Sequence, residues 1–331
     1  MHRFLVPGLA LLVAALGLVS LALGPAPISP LTAARALASD LGSASVIVRE
    51  IRLPRTLLAV LIGWTAGLTG AALQALLRNP LADAAVFGAP QAAAFGAVLV
   101  LYFGLVGALS FALPVAAILG ALLSIVLVVA VAGRSTTIVV LVLAGLAVGS
   151  LAGAATSLAI SLSPNPFAVT EIVFWLLGSL EDRSRVHVLL ALPFVAAASA
   201  LLLAAGPGLR ALTLGDETAE SLGVRVGRLR LTVVVAAAIG TGAAVAVAGS
   251  IGFVGLVAPH LVRPLAGYDP ARTLVPAGLA GAALLVAADA AVRLIPSGVE
   301  VKIGVLTALL GVPFFLWIIW RRKAELAESA A

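Results

Sequence analysis

The sequence predicts an all-α polytopic membrane protein. Three observations carry this reading: 62% of the 331 residues are hydrophobic, only 10% are charged, and the mean hydropathy is +1.21. Soluble domains carry about 25% charged residues. A chain with so few cannot coat a globular surface with polar groups, so its solvent is lipid. A spanning helix needs about 20 apolar residues, which leaves room here for about ten. The 33 glycines and 18 prolines fit this class, because neighbouring helices re-satisfy the backbone in a membrane. The whole chain, 1–331, reads as a single transmembrane domain with no soluble domain or low-complexity tail.

The apolar runs place spans near 4–24, 54–77, 87–106, 109–131, 138–160, 187–206, 230–250, 252–266, 273–294 and 302–320. The first run, Phe4 to Leu23, is longer than the 7–15 apolar residues of a cleaved signal peptide. Gly24-Pro25-Ala26-Pro27 is also a poor cleavage match, so a retained helix is expected. The run 252–266 is short for a full span, which suits a half-length or broken helix. Ala168–Leu180 is amphipathic and bounded by Pro164-Asn165-Pro166 and Gly178-Ser179, so it reads as a short helix at one membrane face. Leu212–Arg230 is the longest polar stretch. Its acids, Asp216, Glu217 and Glu220, come first and Arg225, Arg228 and Arg230 last. The helix dipole favours acids at an N-terminus, so a short helix lying across the membrane face is expected.

The formal charge of +6 does not point to nucleic acid, because Lys and Arg sit mostly between apolar runs, where they act as topology signals. With both termini in the cytoplasm and ten alternating spans, 12 of the 20 basic residues fall inside. Arg35, Arg49, Arg52, Arg55, Arg183, Arg185, Arg293 and Lys302 fall outside and need another reason. With Cys at 0, no disulfide, thiolate metal site or lipidated cysteine can form. There is no GxxxxGK[ST] loop, no HExxH, no nucleophile elbow and no Cys/His cluster. No catalytic residue, metal site or cofactor is expected, and any use of ATP must come from a separate subunit.

Four segments carry functional candidates. In Arg52-Leu53-Pro54-Arg55 the proline opens a helix at no hydrogen-bond cost. Its two arginines lie about one turn apart, either snorkelling to the interface or forming a docking patch. In Arg78-Asn79-Pro80-Leu81-Ala82-Asp83 the proline pushes the preceding residue to extended geometry. The resulting loop either plugs a pore or simply joins two helices. His260, beside Pro259, reads as a structural residue rather than a ligand. Asp289 lies inside the ninth span with Arg293 four residues on. A mid-bilayer charge costs about 2.5–3.5 kcal/mol and defaults to a functional candidate, but an i,i+4 pair can neutralise itself. Asp289 and Arg293 are therefore expected as an ion pair, on the same side as Arg52 and Arg55. Glu171, Glu181 and Asp182 are either solvated or at the outer mouth.

Together these segments resemble the FecCD-type permeases, the transmembrane subunits of type II ABC importers for siderophores, haem and cobalamin. The matching pieces run in order over nearly the whole chain: Arg52–Arg55, Gly70-Ala71-Ala72-Leu73-Gln74 through Asp83, Leu143-Ala144-Gly145, Leu214 through Gly223, Gly249 through His260, Ala287–Arg293, and Gly304 through Phe315. The resemblance implies a vitamin B12 importer permease-like fold of ten helices in the bacterial inner membrane. It implies a homodimer with the path on its axis, two ABC ATPase subunits below, and a periplasmic or lipid-anchored substrate-binding protein above. It implies docking of that protein's glutamates on Arg52, Arg55 and Arg293. One cytoplasmic gate would lie at Asn79, Pro80 and Leu81, and another at Ser135, Thr136 and Thr137. Leu214, Gly215, Asp216, Glu217, Ala219, Leu222 and Gly223 would couple to the ATPase. Ala84 stands where the family usually has a second proline, and Gly88-Ala89-Pro90 replaces its usual Gly-Val-Ser, so a different start to the third span is expected. Ferric siderophore import is the leading functional expectation, with haem or cobalamin as the alternative. An ion-coupled secondary transporter, with Asp289 on its ion path, is the expectation from a different class.

Overall fold

The computed structural model describes residues 2–105, 111–133, 137–295 and 301–330. Among them, every regular element is helical. In chain order these are α1 (His2–Ala22), α2 (Pro30–Ala38), α3 (Ser43–Val46), α4 (Leu53–Leu76), α5 (Ala89–Tyr102), α6 (Ala112–Ala132), α7 (Ile138–Ser161), α8 (Pro166–Leu176), α9 (Arg185–Leu212), α10 (Asp216–Ser221), α11 (Val226–Ala248), α12 (Val254–Val262), α13 (Pro270–Val292) and α14 (Ile303–Ala330). A π-helical segment, 47–52, joins α3 to α4 without a break.

Each expected span has a helix within a few residues of it. Seven of the helices are long and apolar enough to cross a membrane. The other three are shorter in their apolar parts: α5, the nine-residue α12, and α14, whose apolar stretch is Ile303–Trp317. The half-length helix expected near 252–266 is thus α12. The short surface helix expected at 168–180 is α8, started by Asn165, whose side chain accepts the Phe167 N–H. The unusual start of the third span is also real. After the loop, residues 84–87 form a single 3₁₀ turn, Gly88 is left-handed at φ 71°, and α5 begins at Ala89.

Helices α4, α13 and α11 form the centre. In α4 and α13, 72% of the apolar window is buried inside the protein, against 11% in α1. Close approach of small residues makes this centre possible. A Cβ on Gly67 would stand 2.0 Å from the Ala277 carbonyl oxygen, and one on Gly63 would stand 2.3 Å from that of Gly281. Lipid is as apolar as leucine, so membrane helices associate through such tight backbone packing rather than through the hydrophobic effect. Peripheral helices turn large side chains outward instead, among them Leu119, Leu123 and Val126 on α6 and Val139, Leu143 and Leu151 on α7.

Candidate functional site

A cavity of about 360 Å³ lies between α4, α5, α7, α11 and the irregular segment 249–253. The sequence explains why these elements leave room. Gly249 ends α11 at φ 70°, and the chain turns back into the bundle before α12 starts beside Gly70. Such interrupted helices are found where backbone lines a cavity. Small residues and hydroxyls line most of the space: Thr65, Thr69, Thr156, Thr241 and Ser250, with Gln91. Three of the hydroxyls donate to the carbonyl one turn back: Thr65 to Leu61 (2.7 Å), Thr156 to Ala152 (2.9 Å) and Thr241 to Ala237 (2.7 Å). The buried Thr69 Oγ1 and Gln91 Oε1 have no hydrogen-bond partner among the described residues. The wall is therefore weakly polar. Among the described residues, no group of three His, Cys, Asp or Glu is placed to hold a metal.

One end of this cavity is closed by the loop after α4. Asn79 caps a turn by accepting the Leu81 N–H (3.0 Å), and Asp83 accepts that of Ala85 (3.0 Å). Burial pushes the Asp83 carboxyl above its usual range, against the lowering effect of the Ala85 N–H. Pro80 and Leu81 face a narrow cleft with Leu256, Gly311, Phe314 and Phe315. Asp83, Ala84 and Ala85 border the cavity, and Asn79, Pro80 and Leu81 precede them outside its lining. Thr137 begins α7 in extended geometry. Ser135 and Thr136 lie outside the described residues. His260 stacks edge-on against Phe314, with ring centroids 5.8 Å apart.

Below the loop is the polar stretch 212–230. Gly215 (φ 106°) and Gly223 (φ 85°) bracket α10, turns that a left-handed backbone allows. Ala219 is buried, while Leu214 and Leu222 are each 63% exposed on either side of the helix. Asp216, at the first position of α10, meets two arginines. Arg78 Nη2 is 3.1 Å from its Oδ1, and Arg230 Nη2 bonds its Oδ2. Arg78 also donates to the Leu212 carbonyl (2.5 Å). Arg78 is itself left-handed (φ 47°), which costs a non-glycine residue about 1–2 kcal/mol. It closes α4 by bonding its N–H to Ala75, while the Asn79 N–H bonds to Gln74.

The opposite end of the bundle holds Asp289, which is fully buried. Its ion pair with Arg293 is present (2.9 Å). The sequence did not reveal the second partner, Arg55, whose Nη2 is 2.8 Å from Asp289 Oδ1. Those two residues lie 234 positions apart, so no local spacing signals the contact. Arg293 also donates to the Ser20 carbonyl (2.9 Å) and the Leu23 carbonyl (3.2 Å). Arg52 is 4% exposed and donates to the carbonyls of Leu21, Ala22 and Ala26. The three guanidiniums are thus largely enclosed by the protein. The three guanidiniums knit α1, α4 and α13 together. Nearby, Glu181 pairs with Lys302 (2.8 Å) and borders a second cavity that Glu171 and Asp182 also line.

The FecCD transport family model matches residues 11–321, nearly the whole chain. The chain belongs to that family. It is accordingly a transport permease and not an enzyme. Among curated relatives, the cobalamin import system permease BtuC of Halobacterium salinarum is 38% identical over 285 residues, covering 86% of this chain and 76% of that one. The hemin transport system permease HmuU of Yersinia pestis is 37% identical over 286 residues, covering 83% and 84%. A solved metal-chelate type ABC transporter in an inward-facing conformation superposes with a TM-score of 0.86 at 30% identity, covering 96% of this chain and 98% of that one. FecCD membership sets aside the ion-coupled secondary transporter.

Proposed function

We propose that this FecCD chain is the permease of an ABC importer that moves an iron chelate, with a ferric siderophore as the first candidate, across the bacterial inner membrane. The observation that carries the proposal is a weakly polar cavity bordered by Asp83, Ala84 and Ala85 at the end of the loop that starts at Asn79-Pro80-Leu81, in a chain of this family. A wall with no ligand set for a metal suits a cargo whose ions arrive already wrapped by an organic chelator. The loop is the gate at the cytoplasmic end, with Ser135–Thr137 as a second gate. Two copies assemble around the path.

α10 is the coupling element. Leu214 and Leu222 are exposed apolar anchors on either side of α10, and amphipathic helices dock in grooves through such anchors. Two ABC ATPase subunits supply the groove and the energy. A substrate-binding protein, periplasmic or lipid-anchored, docks at the other end. There, three arginines against the single Asp289 leave a net positive charge, which steers acidic partners even where the side chains are shielded. Haem or cobalamin is the second reading, supported by the names of the relatives.

The test is uptake by proteoliposomes holding this chain with its cognate ATPase, presented with binding proteins loaded with radiolabelled ferric siderophore, haem or cobalamin. ATP-dependent accumulation of the siderophore is the expected result. Accumulation of haem or cobalamin instead would replace the cargo, and uptake without ATP would overturn the importer. Docking is checked with Arg52→Gln: a variant that melts like the parent and still binds the substrate-binding protein with unchanged affinity would remove Arg52 from the docking surface.

A further inference from the structure

We infer that Arg78 is the positioning residue through which α10 sets the conformation of the gate loop 79–83. The geometry stands alone, but its consequence for transport rests on the importer reading above.

Arg78 is the last residue before the loop, and it holds a backbone conformation that arginine disfavours. What holds it there comes from outside its own helix. Its Nη2 bonds the Leu212 carbonyl at 2.5 Å and lies 3.1 Å from Asp216 Oδ1. Leu212 and Asp216 flank one tight turn, closed by the Gly215 N–H on the Leu212 carbonyl (3.1 Å). Leu212 ends α9 and is buried in the core, so it is the Asp216 contact that moves with α10. The second oxygen of Asp216 is held by Arg230 of α11, so one carboxylate spans the end of α4, α10 and the start of α11.

The two loop ends respond differently to such a movement. On the α4 side, the Asn79 N–H is fixed to Gln74 only while residue 78 stays left-handed. Gln74 is firmly anchored, with its amide on the Gly255 carbonyl (3.3 Å) and its oxygen bonded by Arg263. On the far side, the loop has space, because a cavity of about 270 Å³ lies between Gln74, Arg78, Pro80, Thr213, Arg263 and Tyr268. When α10 withdraws Asp216, the Arg78 side chain loses its ionic partner and residue 78 loses one of the contacts that favour its strained state. Asn79 and Pro80 then re-aim around the fixed Gln74. The bland alternative is a half-exposed capping arginine that only adds stability. In that case the loop would not sense Asp216.

Amide hydrogen exchange on the purified permease in nanodiscs separates the two. The probes are the N–H groups of Leu81, Ala82 and Ala85, all bonded within the loop. Arg78→Gln and Asp216→Asn should each speed their exchange about tenfold, and the double variant no further. Arg78→Gly should restore slow exchange, because glycine accepts φ 47° without help, and should also make the loop indifferent to Asp216→Asn. Unchanged exchange in Asp216→Asn would overturn the inference, as would effects of the two single variants that simply add. In the assembled importer, Arg78→Gly should lower uptake per ATP hydrolysed. If the parent shows no ATP-driven uptake, the importer reading fails while the exchange data still decide whether Arg78 links α10 to the loop.

Discussion

Each end of the bundle rests on one carboxylate shared by two arginines, and the two ends use that arrangement in opposite ways. At one end Asp289 is 0% exposed, and its partners Arg55 and Arg293 are 11% and 5% exposed. At the other, Asp216 and Arg78 are about half exposed, at 47% and 50%. Attraction between charges grows as water is excluded, and a buried cluster that loses one member leaves the others uncompensated. The Asp289 cluster is therefore a permanent clasp on α1, α4 and α13. Asp216 and Arg78 are hydrated, so that pair can part and re-form at little cost, while Arg230, 11% exposed, is the more enclosed partner.

Four measurements would break or sharpen the contrast. The largest effect is expected from Asp289→Ala, which strands two buried guanidiniums and should lower stability by about 3–5 kcal/mol, read as thermal unfolding in detergent. A variant that melts like the parent would mean that the clasp is not a clasp. Next is Gly67→Val, which forces α4 away from the Ala277 carbonyl and should cost about 1–3 kcal/mol in the same assay. Asp216→Asn should cost no more than about 1 kcal/mol, as exposed pairs do, yet it should reduce ATP-driven uptake severalfold. Equal stability losses at Asp216 and Asp289 would erase the distinction between the two ends.

The smallest effect is a pH dependence at Asp269, the N-cap of α13. Burial pushes its carboxyl upward, but the Arg210 hydrogen bond (3.0 Å) and the Arg272 N–H outweigh it and hold the group below the usual range. A depressed carboxyl stabilises the fold above its unfolded pKa, and that contribution fades as pH falls through the folded value. The parent should therefore lose slightly more stability than Asp269→Asn as pH drops below about 4. Parallel melting curves for the two proteins would show that the pair contributes nothing.

Much of the site was legible in the sequence wherever the signal was local. Pro80 and the polar run after Leu212 marked a loop and a surface helix, and both are present. The four-residue spacing of Asp289 and Arg293 announced their pair. The same reasoning did not find what surrounds Arg52 and Arg55. A sequence shows that an arginine stands at a helix end, but not whether carbonyls of another helix will enclose it. Arg78 was read only as the start of a loop, because its partners Leu212 and Asp216 are more than 130 positions away. The cavity, too, had no local signature beyond glycines and threonines, which are equally at home in tight packing.

The sequence by itself determined the solvent, the order of the long helices, and the family. Those follow from hydropathy and from motif order, which are properties of segments. Only the tertiary structure decided which charges are locked and which can move. Burial and pairing belong to no residue alone, and here they depend on how closely α1, α4 and α13 approach at one end and how loosely α10 lies against α4 at the other.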